Sequence, residues 1–240
     1  MKRKSSIYLS YEQKSLFKKE IYEMSNIFHE KLLSSLNGDY QKELNEYEQS
    51  LLSELEPTPI VDREGNLCDY EFDLSEIEGK IAERYYLLST TRYRVIAMWI
   101  CCLCEVWEQQ LQLFLKLEKQ NGNLMDNYEL DRWNQVKIAY LEYGIDFEKF
   151  SSWQKLNELR LLVNVIKHGE GGSEKSLRRI RPDLFIVEKY DRFSFFHSSL
   201  ITRTLNLIES DIDGFANAII EFWECFPSDA YLHKKENINI

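Results

Sequence analysis

Apolar residues recur along this chain at helical rather than strand spacing. From Tyr11 to Leu36, the positions Leu16, Ile21, Ile27, Leu32 and Leu33 fall on one amphipathic pattern, and after Asn37-Gly38 the stretch Tyr40 to Leu55 continues it. This predicts two helices in a hairpin. Pro57 and Pro59 end the second, and Val61 to Phe72 reads as a loop or a short β excursion. From about Ser75 to Lys119 runs the longest helical candidate, as one helix or two, closed by Asn121-Gly122-Asn123. Its middle, Val95 to Cys104, is apolar all round and predicts the central buried element of a bundle. A helix over about Asp126 to Tyr143 follows, then a break at Gly144 and a helix over Phe147 to His168. Beyond Gly169, Gly171 and Gly172 the pattern predicts a short helix capped by Ser173, a small hairpin from Ile186-Val187 and Ile201 to Leu207, and a last helix from near Ser210 to Phe226-Pro227. The expected fold class is all-α: a helical bundle with an N-terminal helical hairpin and a small β-hairpin before the last helix.

Composition agrees with this. Of 240 residues, 44% are hydrophobic and 29% charged, with only 9 Gly and 4 Pro, which excludes collagen-like and low-complexity classes. The basic start carries no apolar stretch of signal-peptide length, and the longest uninterrupted apolar run is about half of what a membrane span needs. The expectation is a cytoplasmic protein with no membrane partner. The five cysteines are odd in number and three of them, Cys101, Cys102 and Cys104, lie in the apolar run, as reduced core thiols do. With no His nearby and a helical path that points adjacent cysteines apart, they predict no metal site, and no cofactor motif is present.

The net charge of −10 points away from nucleic acid until it is resolved by position. From Asp39 to Glu83 there are fourteen carboxylates against Lys42, Arg63 and Lys80, a net of −11, so this one segment carries the whole excess. The division expected from this is an acidic N-terminal hairpin and linker over 1–74 and a helical bundle over 75–240. Between Arg160 and Arg192 the balance is reversed, eight cations against five carboxylates.

Placed on a helical wheel, the segment Trp153 to His168 gathers Lys167, Arg160, Trp153, Asn164, Asn157 and His168 within an arc of about 100°. The rest of the wheel is mostly apolar, with Glu158 its one carboxylate. A solvated face on so acidic a protein would be expected to carry Glu, yet this strip holds none. Arg160, Asn164 and His168 step by four and so share one groove. They supply a fixed cation, a neutral hydrogen-bonding group and the side chain that titrates near neutrality, the components of a phosphodiester site. Lys175, Arg178, Arg179 and Arg181 follow a glycine-rich turn whose backbone N–H groups can approach a phosphate. Glu105 and Glu108, inside the apolar helix, call for cationic partners among Arg92, Arg94 and Arg160. His29, His197 and His233 have no triad or metal spacing around them and read as structural or exposed.

The run Leu159-Arg-Leu-Leu-Val-Asn-Val-Ile-Lys-His168 resembles the signature helix of HEPN domains, all-α modules of many prokaryotic toxins and antiviral effectors, with Asn164 midway in a longer Arg-to-His interval. The continuation through Gly169 to Ser173 and Arg181-Pro-Asp-Leu-Phe185 is similar to bacterial proteins near that family. The resemblance covers about residues 80 to 226. It implies a metal-independent endoribonuclease without cofactor, acting as a homodimer that brings two Arg/His pairs into one cleft, with RNA as substrate and an antitoxin or defence-system protein as partner. On that reading His168 is the general acid or base, Arg160 clamps the phosphorane and Asn164 orients. Lys167, Asn157, Lys175, Arg178, Arg179 and Arg181 hold substrate. The competing reading is a noncatalytic module that binds RNA, a nucleotide or a protein through the same groove. A further alternative is a strip that only closes a dimer interface.

Overall fold

Some helix starts in this protein are set by side chains that accept from orphan backbone N–H groups, and several stops by glycines at positive φ. The computed structural model describes residues 6–34, 40–56, 58–65, 67–71, 74–124, 128–185, 200 and 203–231. The fold is an all-α bundle, with seven α-helices and two small two-stranded sheets among the described residues. It divides into two compact units, one formed by Met1–His29 with Ile96–Ile240 and the other by Glu30–Val95.

In the larger unit β1 (Ser6–Tyr8) pairs antiparallel with β4 (Asp229–Tyr231), Ile7 opposite Ala230. Helix α1 (Tyr11–Ile27) begins in a capping box: Ser10 Oγ accepts from the Gln13 N–H at 3.2 Å while Gln13 Oε1 accepts from the Ser10 N–H at 3.2 Å. It packs on α7 (Glu209–Cys225), Phe17 lying 4.7 Å from the Trp223 ring. Lys14 Nζ donates to the carbonyls of Glu224 and Phe226, both at 2.8 Å, and so caps the end of α7 with a cation. This packing is why residues up to His29 join the bundle instead of following the division at residue 74 that charge suggested. The force that assigns them is apolar burial, to which the charge tally is blind.

The long helix α3 (Ser75–Gln120) is continuous and ends at Gly122, whose φ of +74° is the left-handed conformation a side chain resists. Ile96, Ala97, Ile100, Leu103, Trp107 and Leu111 are fully or almost fully buried. Measured over the whole helix instead of its uninterrupted apolar run, α3 is long and apolar enough to cross a membrane, with 39% of its apolar window buried within the protein. Gln110 is buried toward its C-terminal end: Nε2 donates to the Phe17 carbonyl (3.1 Å) and to Glu20 (2.9 Å), and Oε1 accepts from Trp223 Nε1 (2.7 Å). One amide thus ties α1, α3 and α7 together. Gln110→Leu keeps the volume but leaves the Trp223 N–H without an acceptor in the core. The expected cost is about 1–3 kcal/mol, read as a lowered midpoint in urea denaturation.

Helix α4 (Trp133–Glu142) begins later than the pattern predicted, because residues 128–132 turn back on themselves: Tyr128 donates to the Glu142 carboxylate and Leu130 is buried. The predicted helix from Phe147 is also split. Asp146 caps a single 3₁₀ turn, Phe147–Lys149, through the Glu148 N–H at 3.1 Å. Phe150 is then extended (φ −79°, ψ 140°), which places its ring 5.2 Å from Phe222 in an aromatic cluster with Phe147 and Phe226. Helix α5 (Trp153–His168) follows, stopped by Gly169 at φ +72°. Helix α6 (Gly172–Ile180) has no side-chain cap; Ser173 instead accepts from Asn164 Nδ2 at 3.3 Å. The start of α7 is held by Asp211, which accepts from the Ile208 N–H at 3.0 Å. Most of the predicted hairpin at Ile186-Val187 and Ile201 lies outside the described residues. Its base is present as an antiparallel bridge from Phe185 to Leu205.

In the smaller unit α2 (Tyr40–Ser53) precedes a hairpin of β2 (Thr58–Val61) and β3 (Leu67–Glu71), which realises the β excursion expected near residue 61. Asp62 accepts from the Glu64 N–H at 2.8 Å and Gly65, at φ +86°, turns the chain. Arg84 on α3 pairs with Glu43 on α2 and lies over the Tyr47 ring.

Candidate functional site

Helix α5 is buried along Leu156, Leu159, Leu162, Val163, Val165 and Ile166, and this burial turns its polar strip toward α3. Arg160 Nε donates to Glu108 Oε1 at 2.7 Å, with both side chains about one-fifth exposed. Its guanidinium carbon lies 3.9 Å from the centre of the Trp133 ring, which in turn packs 5.4 Å from Trp107. Arg160 is therefore held from two sides, by a carboxylate and by the face of an indole. About two turns further along, Lys167 pairs with Glu105, and that hydrogen bond is the main cause of its raised pKa. The two carboxylates that stood out in the apolar helix are thus the partners of the strip's two cations.

Asn164 sits midway and binds Ser173, which fixes the start of α6 against α5. His168 is exposed at the end of α5 and makes no hydrogen bond or ion pair among the described residues. Arg160 and His168 are separated by about 12 Å of helix axis. Asn157 is half-buried on the same helix, and Trp153 receives Lys137 Nζ at 5.0 Å from its ring centre.

The basic residues after the glycines separate into two kinds. Lys175 and Arg179 are exposed on α6. Arg178 is exposed too, but it donates to Glu174 at 2.7 Å and lies 3.9 Å from the centre of the Phe185 ring. Arg181, expected among the phosphate-holding cations, is instead enclosed by carboxylates. It binds Asp183 through two nitrogens (Nε at 2.9 Å, Nη2 at 2.7 Å), pairs with Glu158, and has Asp211 at 3.7 Å. The hydrogen bond from Arg181 holds the Asp183 carboxyl below its ordinary range, and the same contacts raise the pKa of Arg181. Glu158, the one carboxylate of the mostly apolar face, also receives Lys155 at 2.7 Å. Arg181 is therefore a knot joining α5, the turn after α6 and α7. Lys189 and Arg192 lie outside the described residues.

Burial raises the pKa of all three thiols of the apolar helix: Cys101 is pushed up to about 11, Cys102 rises more modestly, and Cys104, beside Glu108, is raised furthest. None of them is a ready nucleophile at neutral pH. His29 Nε2 lies 2.7 Å from Asp213, which also accepts from Ser25 at 2.9 Å. His197 and His233 lie outside the described residues.

No family model, curated protein or solved structure matches this chain. The strip positions seen on the helical wheel share one side of α5, with Arg160, Asn164 and Lys167 each held by a different partner. Trp133 could not be found that way, since it belongs to another helix and no local pattern marks a ring that stacks on a distant guanidinium.

Proposed function

We propose that this protein is a HEPN-like endoribonuclease that cleaves RNA through attack of the substrate's own 2′-OH. The observation that carries the reading is the placement of an exposed His168 at the end of a strip whose Arg160 is fixed by Glu108 and Trp133, beside the exposed cations of α6. His168 acts as proton donor or acceptor for the reacting oxygens, and Arg160 stabilises the charge that develops on the phosphorane. Asn164, bound to Ser173, keeps α6 and its Lys175 and Arg179 next to the strip, where they hold flanking phosphates. Arg181 takes no part in binding substrate, because its donors are already committed to carboxylates. The reaction leaves a 2′,3′-cyclic phosphate on one product, and DNA, which lacks the 2′-OH, is not cut.

A second reading, a noncatalytic module that binds RNA, a nucleotide or a protein, is favoured by one specific observation: both Arg160 and Lys167 are neutralised by carboxylates of α3. Incubating the purified chain with total RNA in the presence of EDTA separates the two. Cleavage to cyclic-phosphate ends supports the ribonuclease, and binding without cleavage supports the module.

A further inference from the structure

Helix α4 serves more than the packing of the core. Its first residue, Trp133, lies against Arg160, and one turn on Lys137 reaches the ring of Trp153 at the head of the strip. Beside Lys137 a hollow of about 420 Å³ opens between α4 and the 3₁₀ turn Phe147–Lys149. All of it belongs to the larger unit. Its apolar wall is made by Ile138 and Leu141, 44% and 56% exposed, and by Phe147, whose ring lies 6.3 Å from that of Trp153. Such a wall is open to a flat apolar group. Four polar side chains share the lining. Lys137 Nζ donates to Glu148 Oε1 at 2.7 Å and so fixes that carboxylate, while Glu148 Oε2 takes no hydrogen bond among the described residues. The Asn134 amide also has no partner among the described residues, whereas Asp146 is committed to the Glu148 N–H and to Lys149.

We propose that this hollow takes a guanine base, inserted by the edge that pairs in a duplex. Along that edge guanine carries two parallel N–H donors with a carbonyl acceptor beside them. The two donors match the two oxygens of the Glu148 carboxylate, the carbonyl accepts from the Asn134 amide, and the ring face rests on Ile138 and Leu141. The other bases lack this match. Adenine and cytosine bring one amino group next to a ring nitrogen that only accepts, which sets a lone pair against a carboxylate oxygen, and uracil brings a single N–H between two carbonyls. A phosphate is repelled by Glu148 and Asp146. The arginine side chain of a peptide also has parallel N–H donors, but Lys137 already neutralises Glu148 and repels a second cation, so a neutral base is favoured. Trp153, which borders the hollow, lies about 10 Å along the helix axis from Arg160. The guanine therefore belongs to a nucleotide near the phosphate at Arg160. This inference rests on the reading of the strip as one that meets RNA, to which it adds a preferred base.

The test is isothermal titration calorimetry of the full chain with the 5′-monophosphates of guanosine, inosine, adenosine, cytidine and uridine, which share sugar and phosphate and differ in the base. Guanosine monophosphate is expected to bind about tenfold or more tightly than the rest. Inosine monophosphate, which lacks only the amino group of guanine, isolates one of the two donors and is expected to lose about tenfold. Glu148→Gln keeps the size of the side chain but exchanges an acceptor for a donor. It is expected to weaken guanosine monophosphate by about tenfold or more while leaving adenosine monophosphate and the thermal midpoint where they were, since Glu148 is exposed. Guanosine monophosphate that binds no tighter than the other nucleotides, or equally well to Glu148→Gln, overturns the proposal. So does tighter binding of N-acetyl-arginine amide, which would make the hollow a peptide site. Cleavage of RNA without any preference for guanosine monophosphate removes the guanine site alone. A chain that binds guanosine monophosphate through Glu148 but neither binds nor cuts RNA keeps the site and removes the RNA reading.

Discussion

His168→Ala should lower RNA cleavage by about 10²- to 10⁴-fold, the range over which a positioned proton donor or acceptor contributes. The thermal midpoint should stay at the wild-type value. The two halves of this expectation come from the same fact: the imidazole is exposed at the last position of α5 and has no intramolecular partner among the described residues, so its removal breaks nothing in the fold. Any loss then belongs to the chemistry. Arg160 offers no such clean separation, since removing it strands the half-buried Glu108 carboxylate and bares the Trp133 face. Arg160→Lys is the informative companion. It keeps a cation but loses the planar stack, and a reduced cleavage rate with retained RNA affinity would place Arg160 at the phosphorane and not at a flanking phosphate. If His168→Ala cleaves as the wild type does, the catalytic assignment is wrong and the binding-module reading takes its place.

Arg181→Met should destabilise the protein by about 3–5 kcal/mol, the largest stability effect expected from a surface-facing arginine of this chain. Glu158 and Asp211 are only 10% and 9% exposed, and without Arg181 the second loses its guanidinium partner altogether. Lys155 remains for Glu158, which keeps the cost from rising further. The loss is measured by urea denaturation with a matched Arg179→Met control, expected to be close to neutral because Arg179 is exposed. The same knot gives a pH dependence. Asp183 has a folded-state pKa held below its unfolded value by Arg181, so its contribution is fully present above the ordinary carboxylate range and is lost as the pH falls through the depressed value. Asp183 is mostly exposed, so this contribution is screened by solvent and small. A wild-type midpoint that falls no further on acidification than that of Arg181→Met would remove the knot from the account of acid stability.

The helices themselves were legible because their signals are local. The apolar run at Val95 to Cys104, the stops at Gly122, Gly144 and Gly169 and the restart near Ser210 all act within a few residues of where they are read. The boundaries that moved did so for tertiary reasons. Phe150 leaves helical geometry to join a cluster with Phe222 and Phe226, and Ser173 turns from a cap into the partner of Asn164. The excess of acid between Asp39 and Glu83 suggested a domain boundary that burial of Phe17 against Trp223 does not respect.

By itself the sequence determined that Arg160, Asn164, Lys167 and His168 lie on one side of a helix whose remaining surface is buried, because helical periodicity depends only on spacing. It could also show that Glu105 and Glu108, set among apolar residues, needed cations. Which cations they took, and that Arg181 was consumed in a structural knot while Lys175 and Arg179 stayed exposed, only the tertiary structure decided. A charge in a sequence has a sign but no distance, and at these positions the distance to the nearest carboxylate separates a cation committed to the fold from one that can meet a phosphate.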